Sequence, residues 1–192
     1  MDSWDKLRAD CAECRRCRLC EERQHIVFGT GNENAEILLI GEGPGEQEDI
    51  QGIPFVGPAG QFLDQMLEMI DLDRTQVYIA NMVKCRPPKN RDPQETERRA
   101  CREWLDRQIA LINPKIVVCL GRIAAQGLID PDFRITRDHG DWFDIDSRRY
   151  MAMYHPSALL RDPFKRPEAF TDLRILRREI RRICTHTYNK QD

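Results

Sequence analysis

The sequence predicts an α/β fold built on a mostly parallel, four-stranded sheet with both faces covered. Four short apolar runs, EILLIG (36–41), VYIAN (77–81), KIVVCLG (115–121) and YMAMYH (150–155), are rich in Val, Ile, Leu, Tyr or Met and read as buried strands. Helical periodicity fills the intervals, and strands that alternate with helices pair in parallel through right-handed crossovers. The 192-residue length suffices for one core, and no Ser/Gly-rich or Pro-rich linker divides it, so residues 1–192 form one domain.

In chain order, the opening MDSWDKLRAD carries charges of both signs and no apolar run. It is neither a secretory signal nor a membrane span, which points to a soluble, intracellular (cytoplasmic) protein with no membrane partner. The first strand (36–41) follows the cysteine-rich stretch CAECRRCRLC (11–20). A helix beginning near Gly60 places Phe62, Leu63, Met66, Leu67 and Ile70 on one side. After the second strand, Asp92-Pro93 reads as a side-chain cap with proline in the first turn, opening a helix from Pro93 to Ile112 that stops before Asn113-Pro114. Its apolar side is Ala100, Trp104, Leu105, Ile109 and Ile112. A last helix over roughly 170–184 shows Phe170, Leu173, Leu176 and Ile180 as its apolar stripe.

Ligands of such sheets bind beyond the carboxyl ends of the strands. There the chain carries Gly41-Glu-Gly-Pro-Gly45, Asn81, Gly121 and His155-Pro-Ser157, four elements that the topology brings to one rim. The GEGPG turn is no dinucleotide fingerprint, because Glu46 stands where the third glycine belongs and the acidic run repels a pyrophosphate. Its glycines instead let backbone amides approach a flat neutral ligand, with Glu42 and Glu48 at its edge; a tight turn with exposed acids is the plainer reading. The Asn81 amide offers one donor and one acceptor, the pair that matches N3–H and O4 of uracil and mismatches cytosine. Phe55, in GIPFVGPAG, can floor a stacked base or simply anchor its loop. His155 can donate to an oxygen that gains charge as a bond to a leaving base breaks, although a lone histidine is more often structural. Leu159 is placed as an apolar wedge, Ser157 and Arg161 as phosphate contacts, and Leu160 as core.

A net charge of −2 does not advertise nucleic acid, so any basic face is local. Lys84, Arg86, Lys89 and Arg91 form one such group; Arg174, Arg177, Arg178, Arg181 and Arg182 read as a solvated helix face. The eight cysteines sit in an intracellular chain and four crowd one segment, which favours metal or cluster ligation over disulfides. A four-iron cluster needs four thiolates, so CAECRRCRLC supplies all four or is joined by Cys85 and Cys101. A four-cysteine zinc site has the same spacing and stays open. Cys119 and Cys184 read as ordinary thiols.

Taken together, GEGPGEQED, GIPFVGPAG, NMVKCRPPKNRDP with Cys101, the LG at 120–121 and HPSALLR resemble the family 4 uracil-DNA glycosylases, the iron–sulfur type, in order and spacing from about Cys14 to Arg161. The resemblance implies a three-layer α/β/α domain, a structural [4Fe-4S] cluster held by Cys14, Cys17, Cys85 and Cys101, and hydrolytic removal of uracil from DNA by a monomer. Cys11 and Cys20 are spare to that pattern, and Cys20 can replace Cys17 after a modest loop shift. The resemblance assigns Glu42, Gly43, Glu48, Phe55, Asn81 and His155 to the uracil site and Asn90 to the neighbourhood of the attacking water. Glu42, His155 and Asn90 are then the catalytic set. Ser157, Leu159, Arg161, Arg86, Lys89 and Arg91 face DNA. A related cluster-containing group that becomes covalently trapped on uracil-DNA carries a basic insertion ending in histidine after the second strand; KCRPPKNRDP has neither, which implies turnover. Two rivals are a catalytically silent iron–sulfur DNA-binding module and a small electron-transfer protein.

Overall fold

The computed structural model describes residues 3–188; residues 1 and 2 of the opening stretch and residues 189–192 lie outside it. Its strands are β1 (Thr30–Gly31), β2 (Ile37–Gly41), β3 (Tyr78–Asn81), β4 (Ile116–Leu120), β5 (Trp142–Ile145) and β6 (Arg148–Met153). Its helices are α1 (Trp4–Ala12), α2 (Glu46–Gln51), α3 (Pro58–Glu68), α4 (Glu95–Ile112), α5 (Arg122–Leu128), α6 (Ile135–Asp138), α7 (Pro156–Arg161) and α8 (Arg166–Ile183). The strands form one sheet in the order β1-β3-β2-β4-β6-β5.

The four expected strands are its centre, and they run parallel, with β2 pairing both β3 and β4 and β4 pairing β6. Each is buried along nearly all its length, which is why their apolar runs are continuous. The sheet is nonetheless six-stranded rather than four-stranded. β1 and β5 pair antiparallel at the two edges. The two-residue β1 has no pattern to read, and β5 is only half-buried. The β5–β6 hairpin turns on Asp146 and Ser147, both at positive φ (47° and 64°), as a two-residue hairpin turn of this hand requires.

Alternate strand residues feed two cores. Ile37, Leu39, Ile79, Val118, Met151 and Met153 pack with Leu63, Met66 and Leu67 of α3 and Leu173, Leu176 and Ile180 of α8. Leu38, Ile40, Ala80, Val117, Cys119 and Ala152 pack with Leu105 and Ile109 of α4 and Ile123 to Ala125 of α5. These are the three layers of an α/β/α sandwich. A third cluster, Leu7, Cys11, Leu19, Val83, Cys85, Cys101 and Trp104, joins α1 and the cysteine-rich segment to α4.

Two helix starts differ from expectation. α4 begins at Glu95, where Glu97 accepts a hydrogen bond from the Gln94 amide at 2.8 Å, so the cap is Gln94 and not Asp92. Asp92 instead pairs with Arg122. The end of α4 is as expected: Asn113 adopts the left-handed conformation (φ 48°) ahead of Pro114. α8 starts at Arg166, with Pro167 in its first turn, and buries Ala169, Leu173, Leu176 and Ile180 while Phe170 is exposed. Arg174, Arg178, Arg181 and Arg182 lie on its exposed face.

Candidate active site

The carboxyl ends of β2, β3 and β6 converge. Gly41 and Asn81 are register partners at the ends of adjacent parallel strands. A Cβ at Gly41 would stand 2.5 Å from Asn81 Oδ1 and 2.6 Å from Cζ of Phe55, so only glycine lets these two side chains meet. Phe55 is itself at positive φ (54°), and its ring stacks on His155 with centroids 5.6 Å apart and planes 29° from parallel. A Cβ at Gly121, at the end of β4, would come within 2.9 Å of His155 Cβ. The structure therefore brings Phe55, Asn81 and His155 to one place from three separate crossover units.

Asn81 is 2% exposed and its Oδ1 has no hydrogen-bond partner. A buried acceptor without a donor costs about 1–3 kcal/mol, a deficit that an incoming N–H group removes. His155 Nδ1 accepts from the Ser157 backbone N–H at 3.1 Å and lies 2.8 Å from Ser157 Oγ. In the neutral ring that contact leaves the proton on Nε2. Burial and the Arg161 charge pull the imidazole down to about 4, against Glu48, so the ring is neutral at pH 7. Ser157 is thus engaged with His155 through both its amide and its hydroxyl.

Glu42 follows β2 directly and is half-buried. Burial first, and then the charge and hydrogen bond of Asp92, push its carboxyl up to about 7 against Arg122 and Arg161. Gly43 sits where a Cβ would meet Val83 Cγ2 at 2.8 Å. Glu48, in the first turn of α2, accepts from the amides of Gly45 (3.1 Å), Val56 (2.9 Å) and Gly57 (2.9 Å). Three amides fix that carboxylate as a rigid wall and tie the Phe55 loop to α2.

Other expected contacts are placed differently. Leu159 is 1% exposed and packs in the core with Phe55 and Tyr154, whereas Leu160 is 38% exposed. One helical turn after Pro156 turns Leu159 inward and its neighbour outward, so the buried leucine cannot act as a wedge and Leu160 is not core. Arg91 makes a two-pronged contact with Glu97 at 2.8 and 2.7 Å, which fastens its guanidinium to α4 and leaves it poorly free for phosphate. Lys84 is 1% exposed and belongs to no basic surface. Arg86 Nε donates to Asn90 Oδ1 at 2.8 Å, and Lys89, Asn90 and Arg161 are exposed.

The sulfur site lies next to this rim. Cys11, Cys14, Cys17, Cys20, Cys85 and Cys101 line one cavity beneath Trp104. Four of the sulfurs each receive one N–H. Trp104 Nε1 donates to Cys14, Arg23 Nη1 to Cys85 and the Lys84 amide to Cys101, all at 3.3 Å, while the Leu19 amide serves Cys17. Cys11 and Cys20 receive none of these four donors, and burial pushes the Cys11 thiol up to about 12. Among the described residues no group of three His, Cys, Asp or Glu is drawn together tightly enough to hold a metal ion. Among the ties of the segment to the rim, Asp49 of α2 accepts from the Gln24 amide at 3.0 Å, and the Val27 amide donates to the Lys84 carbonyl at 2.8 Å.

This geometry coincides with a family signature. The profile of the Uracil DNA glycosylase superfamily matches residues 28–176. The chain belongs to that superfamily. A Type-4 uracil-DNA glycosylase from Archaeoglobus fulgidus is 43% identical over 182 residues, which covers 91% of this chain and 92% of the relative. A Type-4 uracil-DNA glycosylase from Thermotoga maritima is 42% identical over 152 residues, 78% of this chain and 79% of the relative. A Type-5 uracil-DNA glycosylase from Thermus thermophilus is 34% identical over 152 residues, 68% of each chain. The superfamily match takes in the whole rim with Cys85 and Cys101 but begins after Cys14 and Cys17.

The sequence offered no sign of Ser157 as the partner of His155, although a histidine followed by proline at the start of a helix is a capping arrangement that could have revealed it. Asp92 as the neighbour of Glu42 was hidden by its more obvious reading as a cap.

Proposed function

We propose that this protein hydrolyses the N-glycosidic bond of uracil in DNA and leaves an abasic site, as a DNA repair glycosylase. The observation that carries the reading is the buried, partnerless Asn81 Oδ1 beside the Phe55 and His155 rings. A base must leave the duplex to reach such a recess. Once there, uracil presents N3–H to Oδ1 and O4 to Nδ2, while cytosine presents an acceptor and a donor in the opposite sense. Phe55 supplies the stacking face, and the fixed Glu48 wall stands where the methyl of thymine would project.

As the glycosidic bond lengthens, charge builds on the uracil O2 and on the sugar. The neutral His155 donates from Nε2 to that oxygen without losing a proton, and the amides near Gly43 add to the same field. Glu42, poised near neutral pH, orients water and faces the sugar cation; Asn90, whose Oδ1 accepts from Arg86, would share that water. Arg86, Lys89, Arg161 and the exposed Leu160 would contact DNA, where binding weakens with salt.

Cys14, Cys17, Cys85 and Cys101 would hold a [4Fe-4S] cluster. The four N–H donors aimed at those same sulfurs support that set over the alternatives. Such a cluster supplies a structural tie between the N-terminal segment and the 85–101 segment, and no step of the bond cleavage runs through it. No helix among the described residues is long and apolar enough to cross a membrane.

The test is release of uracil from a labelled oligonucleotide by the purified chain, with iron determined on the same preparation. Free uracil, an alkali-labile site and about four irons per chain are expected. Iron-loaded protein that binds the oligonucleotide but frees no uracil would make it a silent binding module.

A further inference from the structure

Lys84 is the one lysine among the described residues that is buried in full, at 1% exposure, and the chemistry above does not use it. Its Nζ donates to the Asn81 backbone carbonyl at 3.0 Å and to Gln108 Oε1 at 2.6 Å. Gln108 in turn donates to the Phe28 carbonyl at 2.9 Å, so the ammonium is clamped between the end of β3 and α4. Both acceptors are neutral. The same residue's amide donates to Cys101 Sγ at 3.3 Å, and its carbonyl accepts from Val27. One residue thus touches the back of the base-reading asparagine and the wall of the sulfur site.

We propose that Lys84 is a positioning residue for base recognition: its side chain holds Asn81 from behind while its backbone amide is fixed on Cys101 at the sulfur site, so that the two sites form one unit. The proposal rests on the reading of Asn81 as the uracil-recognising side chain. It gives the sulfur site a consequence for selectivity although no chemistry passes through it. A Lys84 that served only to fill space would affect thermal stability and nothing else.

Lys84→Met keeps the length and removes the charge. In the iron-loaded protein it is expected to raise the inhibition constant of free uracil and the KM for uracil-DNA about 10-fold, with kcat within about 3-fold, and to narrow the preference for uracil over cytosine. Where Lys84→Met does not accumulate as folded protein, Gln108→Met removes its second acceptor and is expected to give a smaller rise in the same inhibition constant; an unchanged constant there overturns the proposal. Asn81→Ala separates the two levels of the argument. If Asn81→Ala leaves uracil inhibition unchanged, the reading of Asn81 falls and the role of Lys84 falls with it. If Asn81→Ala abolishes inhibition while Lys84→Met alters neither inhibition nor selectivity, the positioning role alone is overturned.

Discussion

Strand β2 is flanked by two glutamates that the fold treats in opposite ways. Glu36, just before the strand, is 4% exposed and surrounded by donors. Its oxygens accept from the amides of Thr185 (2.7 Å), His186 (2.9 Å) and Thr187 (2.9 Å) and the hydroxyls of Thr185 (3.0 Å) and Thr187 (2.8 Å), and Lys115 Nζ lies 2.8 Å away. Burial alone would raise its pKa, but Lys115 and these donors outweigh it and hold the carboxyl well below the usual range. Glu42, just after the strand, has burial and Asp92 acting on it in the same direction and rests near neutrality. The partnerless Asn81 Oδ1 and the neutral His155 share its end of the sheet. One end of the sheet satisfies its polar groups internally and so fastens the C-terminal segment. The other leaves Asn81 Oδ1 without a donor and sets the Glu42 carboxyl beside Asp92, which costs stability and keeps both available to a ligand.

The contrast is broken most severely at His155. His155→Ala should lower kcat by about 10²–10³-fold with a much smaller change in KM, measured as single-turnover uracil release, because the lost donor acts on charge that develops late. A loss under about 10-fold would mean that another group carries the leaving base. At the opposite end, Glu36→Ala should cost about 2–3 kcal/mol of stability at pH 7 by denaturant unfolding while leaving turnover intact. The folded pKa of Glu36 lies below its unfolded value, so its contribution is present above the unfolded pKa and fades as pH falls through the folded one. The stability deficit of the variant should therefore shrink with acidification.

The smallest effect sharpens the comparison at Glu42. Its ionised form is the useful one, so kcat/KM should rise with pH through about 7. Asp92→Asn removes the charge that raises this pKa, and the rising limb should move toward acid by a fraction of a pH unit. A limb that stays in place would assign it to another group. For stability the sign reverses: the raised pKa of Glu42 favours folding below its unfolded value, and that gain is lost as pH rises through about 7.

The buried strands and the convergence at their carboxyl ends were legible because continuous apolar runs and end-of-strand glycines are local signals with a single topological outcome. The edge strands were not, since a two-residue Thr-Gly pairing and a half-exposed hairpin arm bury too little to leave a pattern. Within the site, residue type was informative and facing was not. Leu159 and Leu160 are indistinguishable in sequence, and only the phase of a six-residue helix sends one into the core. Arg91 and Lys84 looked basic and exposed, yet Glu97 holds the first and Gln108, 24 residues along the chain, holds the second. Such pairings are tertiary and leave no local trace.

The central claim is that the buried amide of Asn81 tells uracil from cytosine. Excision by Asn81→Asp on matched uracil- and cytosine-containing oligonucleotides tests it most directly. The account predicts that the preference for uracil collapses because a carboxylate has no N–H to offer O4. A selectivity equal to that of the unaltered protein would contradict it.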